Sequence, residues 1–301
     1  MKIFVAGSLN MDLTIRAPYV PKKGETVTGE GFLVTPGGKG ANQAVACAKL
    51  GSRTLMVGCV GNQFGDGLIE SLKNCGADVR FVERKEDVSS GIAMIIVSDG
   101  DNRIIIDRGA NAKVSKELID RALEEAEAGD YLVVQLEIET ETVGYALAKA
   151  KEKGMITLLN PAPAAELPAN IFSLCDYFLP NQSEAQFYTG IYPENEESAK
   201  RCAAALKAKG VQKVIVTMGE HGSVCVSDQG FIGVPAAEAK PVDTTAAGDT
   251  FIGAFATKLS EGADDEEAMR FANAAAAVTI TRRGAQTAIP TRAEADAIFK
   301  R

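Results

Sequence analysis

The chain has little of what several enzyme classes require. Its 301 residues include a single histidine, His221. A Ser-His-Asp triad or a multi-histidine metal centre would have to be built on that one imidazole, which disfavours both. The six cysteines (Cys47, Cys59, Cys75, Cys175, Cys202, Cys225) are scattered, with no C-x-x-C spacing. They therefore read as small buried hydrophobes of a reducing cytosol, not as a disulfide or zinc framework. No apolar run reaches membrane-spanning length. The opening "MKIFVAGSLNMD" turns polar too early for a signal segment, so the expected location is the cytoplasm. The net charge is −8, with no block of like charge, which argues against nucleic acid or an anionic membrane as partner. An anionic substrate would need local positive groups or metal ions. No internal repeat or low-complexity tract is present.

The two familiar glycine loops for nucleotides are also missing. A P-loop needs G-x-x-x-x-G-K-[ST], but Gly38-Lys39 is followed by Gly40, and Leu33 stands in the first glycine's place. The dinucleotide pattern G-x-G-x-x-G fails because Gly38-Lys39-Gly40 runs on into Ala41, Asn42 and Gln43. A P-loop NTPase or a dehydrogenase is weakened accordingly.

What is present is an ordinary globular composition, 46% hydrophobic and 24% charged, long enough for one large domain with or without a subsidiary one. Short apolar runs ("KIFVAG", "TLMVGCVG", "YLVVQLE", "MITLLNP", "YFLPN", "KVIVTMG") alternate with amphipathic stretches such as "GANQAVACAKLG" and "ESAKRCAAALKAKG". That alternation predicts an α/β fold, a three-layer α/β/α core around a mostly parallel sheet. "GSVCVSD" and "GFIGVPA" read as a hairpin, and three helices, near 249–260, 265–281 and 292–299, close the chain. Residues 12–36 and 91–108 break the alternation. The first is β-prone but broken by Pro and Gly; the second reads as a hairpin turning at "DGDN". Either they pair into a small β lid beside a core made of 1–11, 37–90 and 109–301, or they merely elaborate that core. As a lid, their apolar strands would leave a face for a partner subunit to cover.

Several stretches carry chemistry. In "VDTTAAGDTFIGAF", at 242–255, the small residues Ala246, Ala247 and Gly248 lead into Asp249 at a helix start. Small residues there leave backbone N–H groups bare for an anion, beside a carboxylate. "PGGKGANQAVACAKLG" allows close backbone approach at Gly38 and Gly40, with Asn42 able to donate and accept; it suits a polyhydroxylated ligand, or is a plain turn into a helix. "SLNMD" and "VVQLE" place Asn10, Asp12 and Glu137 at carboxyl strand ends, the ligand edge of open α/β sheets; Glu137 either joins a sugar-hydroxyl site or caps the next helix. In "LPNQSEAQFYTG", Asn181 and Glu184 are three apart, placed either to hold Mg²⁺ through its waters or to cap a helix. "VTMGEHG" is either a seat for a planar base or a tight turn.

Together, "PGGKGANQAVACAKLG" and "VDTTAAGDTFIGAF" resemble the two signatures of the ribokinase-like (PfkB) carbohydrate kinases, and "GSLNMD", "GETVTG", "PNQSEA", "TMGEHG" and "TRRGAQ" follow in that family's order. The resemblance spans essentially the whole chain. It implies a ribokinase-like fold and phosphoryl transfer from ATP to the 5-hydroxyl of D-ribose. Asp249 would be the general base, with the Ala246-Ala247-Gly248 turn as anion hole. By the same resemblance Asn10, Asp12, Gly38, Lys39, Gly40, Asn42 and Glu137 are expected at the sugar, and Asn181, Thr217, Gly219, Gly222, Gly248 and Asn273 at the nucleotide. Glu184 is expected at Mg²⁺. Asp243, Thr245, Thr279, Arg282 and Gly284 are expected around an activating K⁺, the last three through backbone carbonyls. Ala288 stands where a serine is common near the end of the cation loop, and Thr287 is the neighbour that could substitute. A homodimer through the lid is expected. The alternatives are a relative acting on 2-deoxyribose, fructose, a ketodeoxy acid or a nucleoside, and a non-catalytic sugar-binding regulator.

Overall fold

The computed structural model describes residues 1–98 and 101–300. Its strands are β1 (Lys2–Ala6), β2 (Asn10–Arg16), β3 (Glu30–Gly37), β4 (Arg53–Gly61), β5 (Asp78–Lys85), β6 (Gly91–Ser98), β7 (Asp101–Asp107), β8 (Tyr131–Val134), β9 (Ile156–Leu159), β10 (Tyr177–Phe178), β11 (Lys213–Thr217), β12 (Ser223–Ser227) and β13 (Gly230–Val234). The helices are α1 (Lys39–Lys49), α2 (Gly65–Asn74), α3 (Lys116–Leu123), α4 (Thr140–Glu152), α5 (Ala169–Ser173), α6 (Gln182–Thr189), α7 (Glu196–Lys207), α8 (Ala247–Ser260), α9 (Asp265–Thr279) and α10 (Arg292–Phe299).

Nine strands form one sheet in the order β13-β12-β11-β10-β9-β8-β1-β4-β5. All pairings are parallel except the terminal β11-β12-β13 meander. Alternation along β1 shows why two helical layers are needed. Ile3 and Val5 enter the core shared with α1, α8 and α9, while Phe4 and Ala6 enter the one under α3, α4 and α7; successive side chains point to opposite faces. The cysteines are free, and all but the half-buried Cys75 are buried. Among the described residues no helix is long and apolar enough to cross a membrane.

The two irregular segments do pair: β3-β2-β6-β7 make a separate four-stranded sheet. Strand β2 opens at Asn10, so Asn10 and Asp12 sit on this smaller sheet and not at the end of β1. Of the expected "DGDN" turn, residues 99 and 100 lie outside the described residues, and β6 and β7 flank it in antiparallel register. Not expected from the sequence is β5, an edge strand whose "DVRFVERK" carries charges on both faces.

The chain order places the site. From β1 it steps outward to β4 and β5, then returns to β8 on the other side of β1 and proceeds to β13. The loops leaving the carboxyl ends of β1 and β8 therefore diverge, opening the crevice in which open α/β sheets take ligands.

Candidate active site

A cavity of about 220 Å³ lies at this edge, lined by the end of β11 (Thr217), the start of α6 (Asn181, Glu184), Lys39, Asn160 and the start of α8 (Ala246, Ala247, Gly248, Asp249). Helix α8 is laid against α1, and Gly253 is what permits the crossing. A Cβ there would sit 2.5 Å from Ala46 Cβ and 2.8 Å from the Gln43 carbonyl. The close approach brings consecutive α1 side chains onto Asp249: Asn42 Nδ2 donates to Oδ2 at 2.9 Å and Gln43 Nε2 to Oδ1 at 2.9 Å. Asp249 is buried, 8% exposed.

The turn into α8 is unusual. Ala246, its N-cap, is left-handed at φ 60°, a strained state for a residue with a Cβ. The turn it makes closes Ala247 N–H onto the Thr244 carbonyl at 3.2 Å. The expected trio of bare N–H groups is thus corrected: Ala247's is engaged, and those without a backbone partner among the described residues belong to Ala246, Gly248 and Asp249 itself. Gly248 has no left-handed φ, and a Cβ on it would meet nothing within 4 Å.

The residues expected at a sugar gather beside this turn. Glu137 accepts from Ser8 Oγ, from Lys39 N–H at 3.1 Å and from Asn10 Nδ2 at 3.5 Å. It does not cap α4, whose N-cap is Glu139. Gly40 N–H reaches Ser8 Oγ, and Asn111 Nδ2 donates to Asn10 Oδ1 at 2.7 Å. Gly38 is the N-cap of α1. Asp12 lies against Gly37 of the paired strand, where a Cβ would be 2.2 Å from its Oδ2. Burial, with Glu137 and Asp249 adding to it against Lys39, pushes the Asp12 carboxyl up to about 7. Burial alone would lower the Lys39 ammonium, but Asp249, Glu137, Glu184 and Asp12 outweigh it and hold the group above its ordinary value. Only Lys39 and Asp249 of this group line the cavity itself. Asn42 Oδ1 is a buried acceptor with no donor.

Of the residues expected at a nucleotide, Asn181, Thr217 and Gly248 line the cavity, and Asn181 bridges Thr217 in parallel register. Gly219 and Gly222 bound one helical turn after β11. Asn273 lies elsewhere: its Nδ2 donates to the Pro235 carbonyl at 3.0 Å, and it lines a second cavity of about 440 Å³ with Pro235, Ala236, Arg270 and Phe299.

The capping reading of Glu184 holds, and the cap leaves its carboxylate at the cavity. Asn181 and Glu184 form a full capping box, Oε2 accepting Asn181 N–H at 2.9 Å and Oε1 accepting Asn181 Nδ2 at 2.9 Å. The same carboxylate lines the cavity, and burial raises its pKa. No cluster of three or more metal-ligating side chains exists among the described residues. That donor set fits a magnesium ion that keeps its waters and leans on substrate phosphates.

Around the expected monovalent site, Asp243 ties two segments together. Its Oδ1 accepts Thr245 N–H at 2.9 Å and its Oδ2 accepts Gly284 N–H at 3.0 Å. Those bonds overcome its partial burial and lower its pKa. Thr279 Oγ1 donates to Thr250 Oγ1, and the Arg282 guanidinium, itself a cation without an acceptor, is paired with Glu294. A carbonyl role for both, and for Gly284, fits this arrangement. Ala288 is buried, while Thr287 Oγ1 packs against Gly284 and donates to the Arg283 carbonyl at 3.5 Å.

Ser8, Gln43, Asn111, Gln135 and Asn160 join the site without being among the residues expected from the sequence. Ser8 and Gln43 stood inside the motifs already noted; Gln135 and Asn160 follow β8 and β9 at the ligand edge, where strand-end position was the available signal.

Comparison with known proteins gives the family. The model of the pfkB family carbohydrate kinase matches residues 1–292. The deoxyribokinase of Salmonella typhimurium is 41% identical over 294 residues, covering 97% of this chain and 96% of that protein. The ribokinase of Haemophilus influenzae is 38% identical over 296 residues, covering 96% of this chain and 95% of that one. Among solved structures, Arabidopsis thaliana ribokinase complexed with ribose and ATP superposes with a TM-score of 0.91 at 31% identity, covering 99% of this chain and 98% of that one. The chain belongs to the pfkB family of carbohydrate kinases, enzymes that transfer a phosphoryl group to a sugar hydroxyl.

Proposed function

We propose that this chain transfers the γ-phosphoryl group of ATP to the 5-hydroxyl of D-ribose, giving ribose 5-phosphate and ADP. The observation that carries the reading is the start of α8, where the Asp249 carboxylate stands on the same helical turn as the unpartnered N–H groups of Ala246 and Gly248. Asp249 takes the hydroxyl proton as the sugar oxygen forms its bond to phosphorus, and the bond from phosphorus to the bridging oxygen breaks toward ADP. The N–H groups hold the charge on the transferring oxygens. Proton acceptor and anion site must lie within about 3 Å of the reacting atoms, and one turn of helix meets that demand. Such transfer rests on positioning and electrostatics.

Asp12, Asn42, Lys39 and Glu137 hold the sugar in this reading, with Asn10 and the Gly38 and Gly40 backbone shaping its seat. The unpartnered buried Asn42 Oδ1 is suited to a hydroxyl donor. Asn181, Thr217 and the 217–222 loop carry the nucleotide, and Asn273 borders the second cavity, which we assign to its base end. Glu184 would hold Mg²⁺ through water, and Mg²⁺ would neutralise phosphate charge. Asp243, Thr245 and the carbonyls of Thr279, Arg282 and Gly284 would hold K⁺ beside the turn. Lids of two copies would cover each other.

A second reading, 2-deoxyribose as substrate, is favoured by the 41% identity to a deoxyribokinase. Ribose is preferred because loss of a hydroxyl would strand a buried acceptor, at roughly 1–3 kcal/mol. The test is ADP formation from Mg-ATP with ribose, 2-deoxyribose, fructose or adenosine, each with and without K⁺. Ribose-dependent turnover raised by K⁺ is expected; faster turnover with another sugar moves the specificity, and none with any sugar sinks the reading. Asp249→Asn should lower kcat by at least roughly 10²–10⁴-fold, the range for a general base, with ribose binding retained.

A further inference from the structure

We infer that Gln43 is a positioning residue for Asp249, its orientation imposed by a chain of buried amides that ends on a backbone carbonyl. The inference rests on the reading of Asp249 as the proton acceptor. Gln43 and Gln135 are fully buried and Asn160 nearly so, at 0%, 0% and 6% exposed. Gln43 uses both N–H groups, donating to Asp249 Oδ1 at 2.9 Å and to Asn160 Oδ1 at 3.2 Å. Its own Oε1 accepts from Gln135 Nε2 at 2.6 Å. At the far end Asn160 Nδ2 donates to the Leu179 carbonyl at 3.1 Å.

The polarity of the chain follows from that last contact. A backbone carbonyl only accepts, so Asn160 must turn its NH₂ toward Leu179 and its Oδ1 toward Gln43. Gln43 must then present NH₂ to Asn160, and the second N–H of that group points at Asp249. A flipped Gln43 would set its oxygen against two acceptors. Gln135 follows the same choice, turning its NH₂ to Gln43 at a cost to itself: its Oε1, lying against Gly7, is a buried acceptor without a donor. Buried acceptors left without donors are disfavoured, so the network gives up one hydrogen bond while Gln43 keeps all of its own.

The consequence for Asp249 is one amide on each oxygen. Asn42 holds Oδ2 and Gln43 holds Oδ1, which fixes the carboxylate plane while each oxygen retains a lone pair for the substrate proton. Asn42 belongs to the proposed sugar seat; Gln43 faces the interior and lines neither cavity. Its removal should loosen the carboxylate without touching either substrate. Misplacement by an ångström can cost about 10²-fold.

The experiment measures kcat, sugar KM, sugar Kd by calorimetry and the melting temperature for Gln43→Met, Gln43→Glu and Gln135→Met, with Asp249→Asn alongside. Gln43→Met is expected to lower kcat by about 10–100-fold, with sugar KM and Kd close to the parent's. Gln43→Glu, which sets an oxygen against Asp249, is expected to lower kcat further. Parent-like kcat in Gln43→Met, or a loss of kcat matched by an equal loss of sugar binding, overturns the inference. Should Gln43→Met fail to fold, Gln135→Met still decides: it leaves both N–H donors in place but removes one anchor, so kcat should fall several-fold at constant KM, and an unchanged kcat overturns. If Asp249→Asn turns over normally, the base reading fails first. If Asp249→Asn is inactive while Gln43→Met is not impaired, only the positioning role fails.

Discussion

Gly248 has no conformational need to be glycine, and open space stands where its side chain would be. Alanine there should suit the first turn of a helix better, by up to ~1 kcal/mol. Its methyl group would also enter the space in which the transferring phosphoryl group is proposed to sit. Gly248→Ala is therefore expected to melt at or above the parent temperature while losing most of its kcat; a variant as active as the parent would remove Gly248 from the anion site. Asp12 shows the same opposition between stability and function. Its folded pKa, near 7, lies above the ordinary 3.8, so the folded state binds the extra proton between those values. Its contribution to stability is full below about 3.8 and is lost as pH rises through about 7. Asp12→Asn should raise the melting temperature at pH 8 and give little change near pH 4, while weakening sugar binding. Equal shifts at both pH values would show that the carboxyl is not strained by burial. Asp12 and Asn42 were legible as candidates from residue type and local motif. Their pairing with Glu137 and Asp249 was not, because the group comes from four separate stretches of chain.

Two pairs of elements decide whether the site exists. The first is the crossing of α1 and α8, made close by Gly253, which sets Asn42 and Gln43 on Asp249. Both helices were readable from apolar periodicity, but periodicity says which face is buried and not which helix buries it. The second is the segment after β13, where Val242 N–H bonds the Ile280 carbonyl at 2.7 Å and Asp243 joins Thr245 to Gly284. Asp243→Ala would free two N–H groups and let the segments part. K⁺ activation should be lost, with some fall in basal kcat and little change in sugar KM. An undiminished K⁺ response in ADP formation would place the cation elsewhere. Strand β5 has no readable apolar period for a reason that belongs to this scale: charges stand on both its faces, and only Val79, Phe81 and Val82 pack against the two cores.

At the scale of the molecule, the small sheet is the unfinished part. Phe32, Met94, Ile104 and Ile105 are each more than half exposed on it, while Met11 and Leu13 of β2 pack into the core of the larger domain. A bare apolar sheet of this kind calls for a cover, and in the proposed dimer a second copy of the same sheet would supply one with matching character. Light scattering should give a dimer, and Ile105→Asp should shift it toward monomer and raise sugar KM. A parent protein monomeric at every concentration would count against the clasp. Closure of the lids would also keep water from the transferring phosphoryl group.

The alternation of short apolar strands with amphipathic helices settled the layered α/β class, since burying both faces of a parallel sheet admits few other arrangements. Local motifs likewise marked the turn before Asp249 and the glycine loop before Asn42. Strand order, which puts β8 beside β1 and opens the crevice, is a matter of long-range pairing and has no local signature. The same holds for the amide chain from Leu179 to Asp249: glutamines in two unconnected segments acquire an orientation only when packing excludes water and leaves each N–H one acceptor to find. Sequence thus determined the chemical groups and the elements that carry them, while the tertiary structure decided which groups meet, because contact and desolvation exist only in the folded chain.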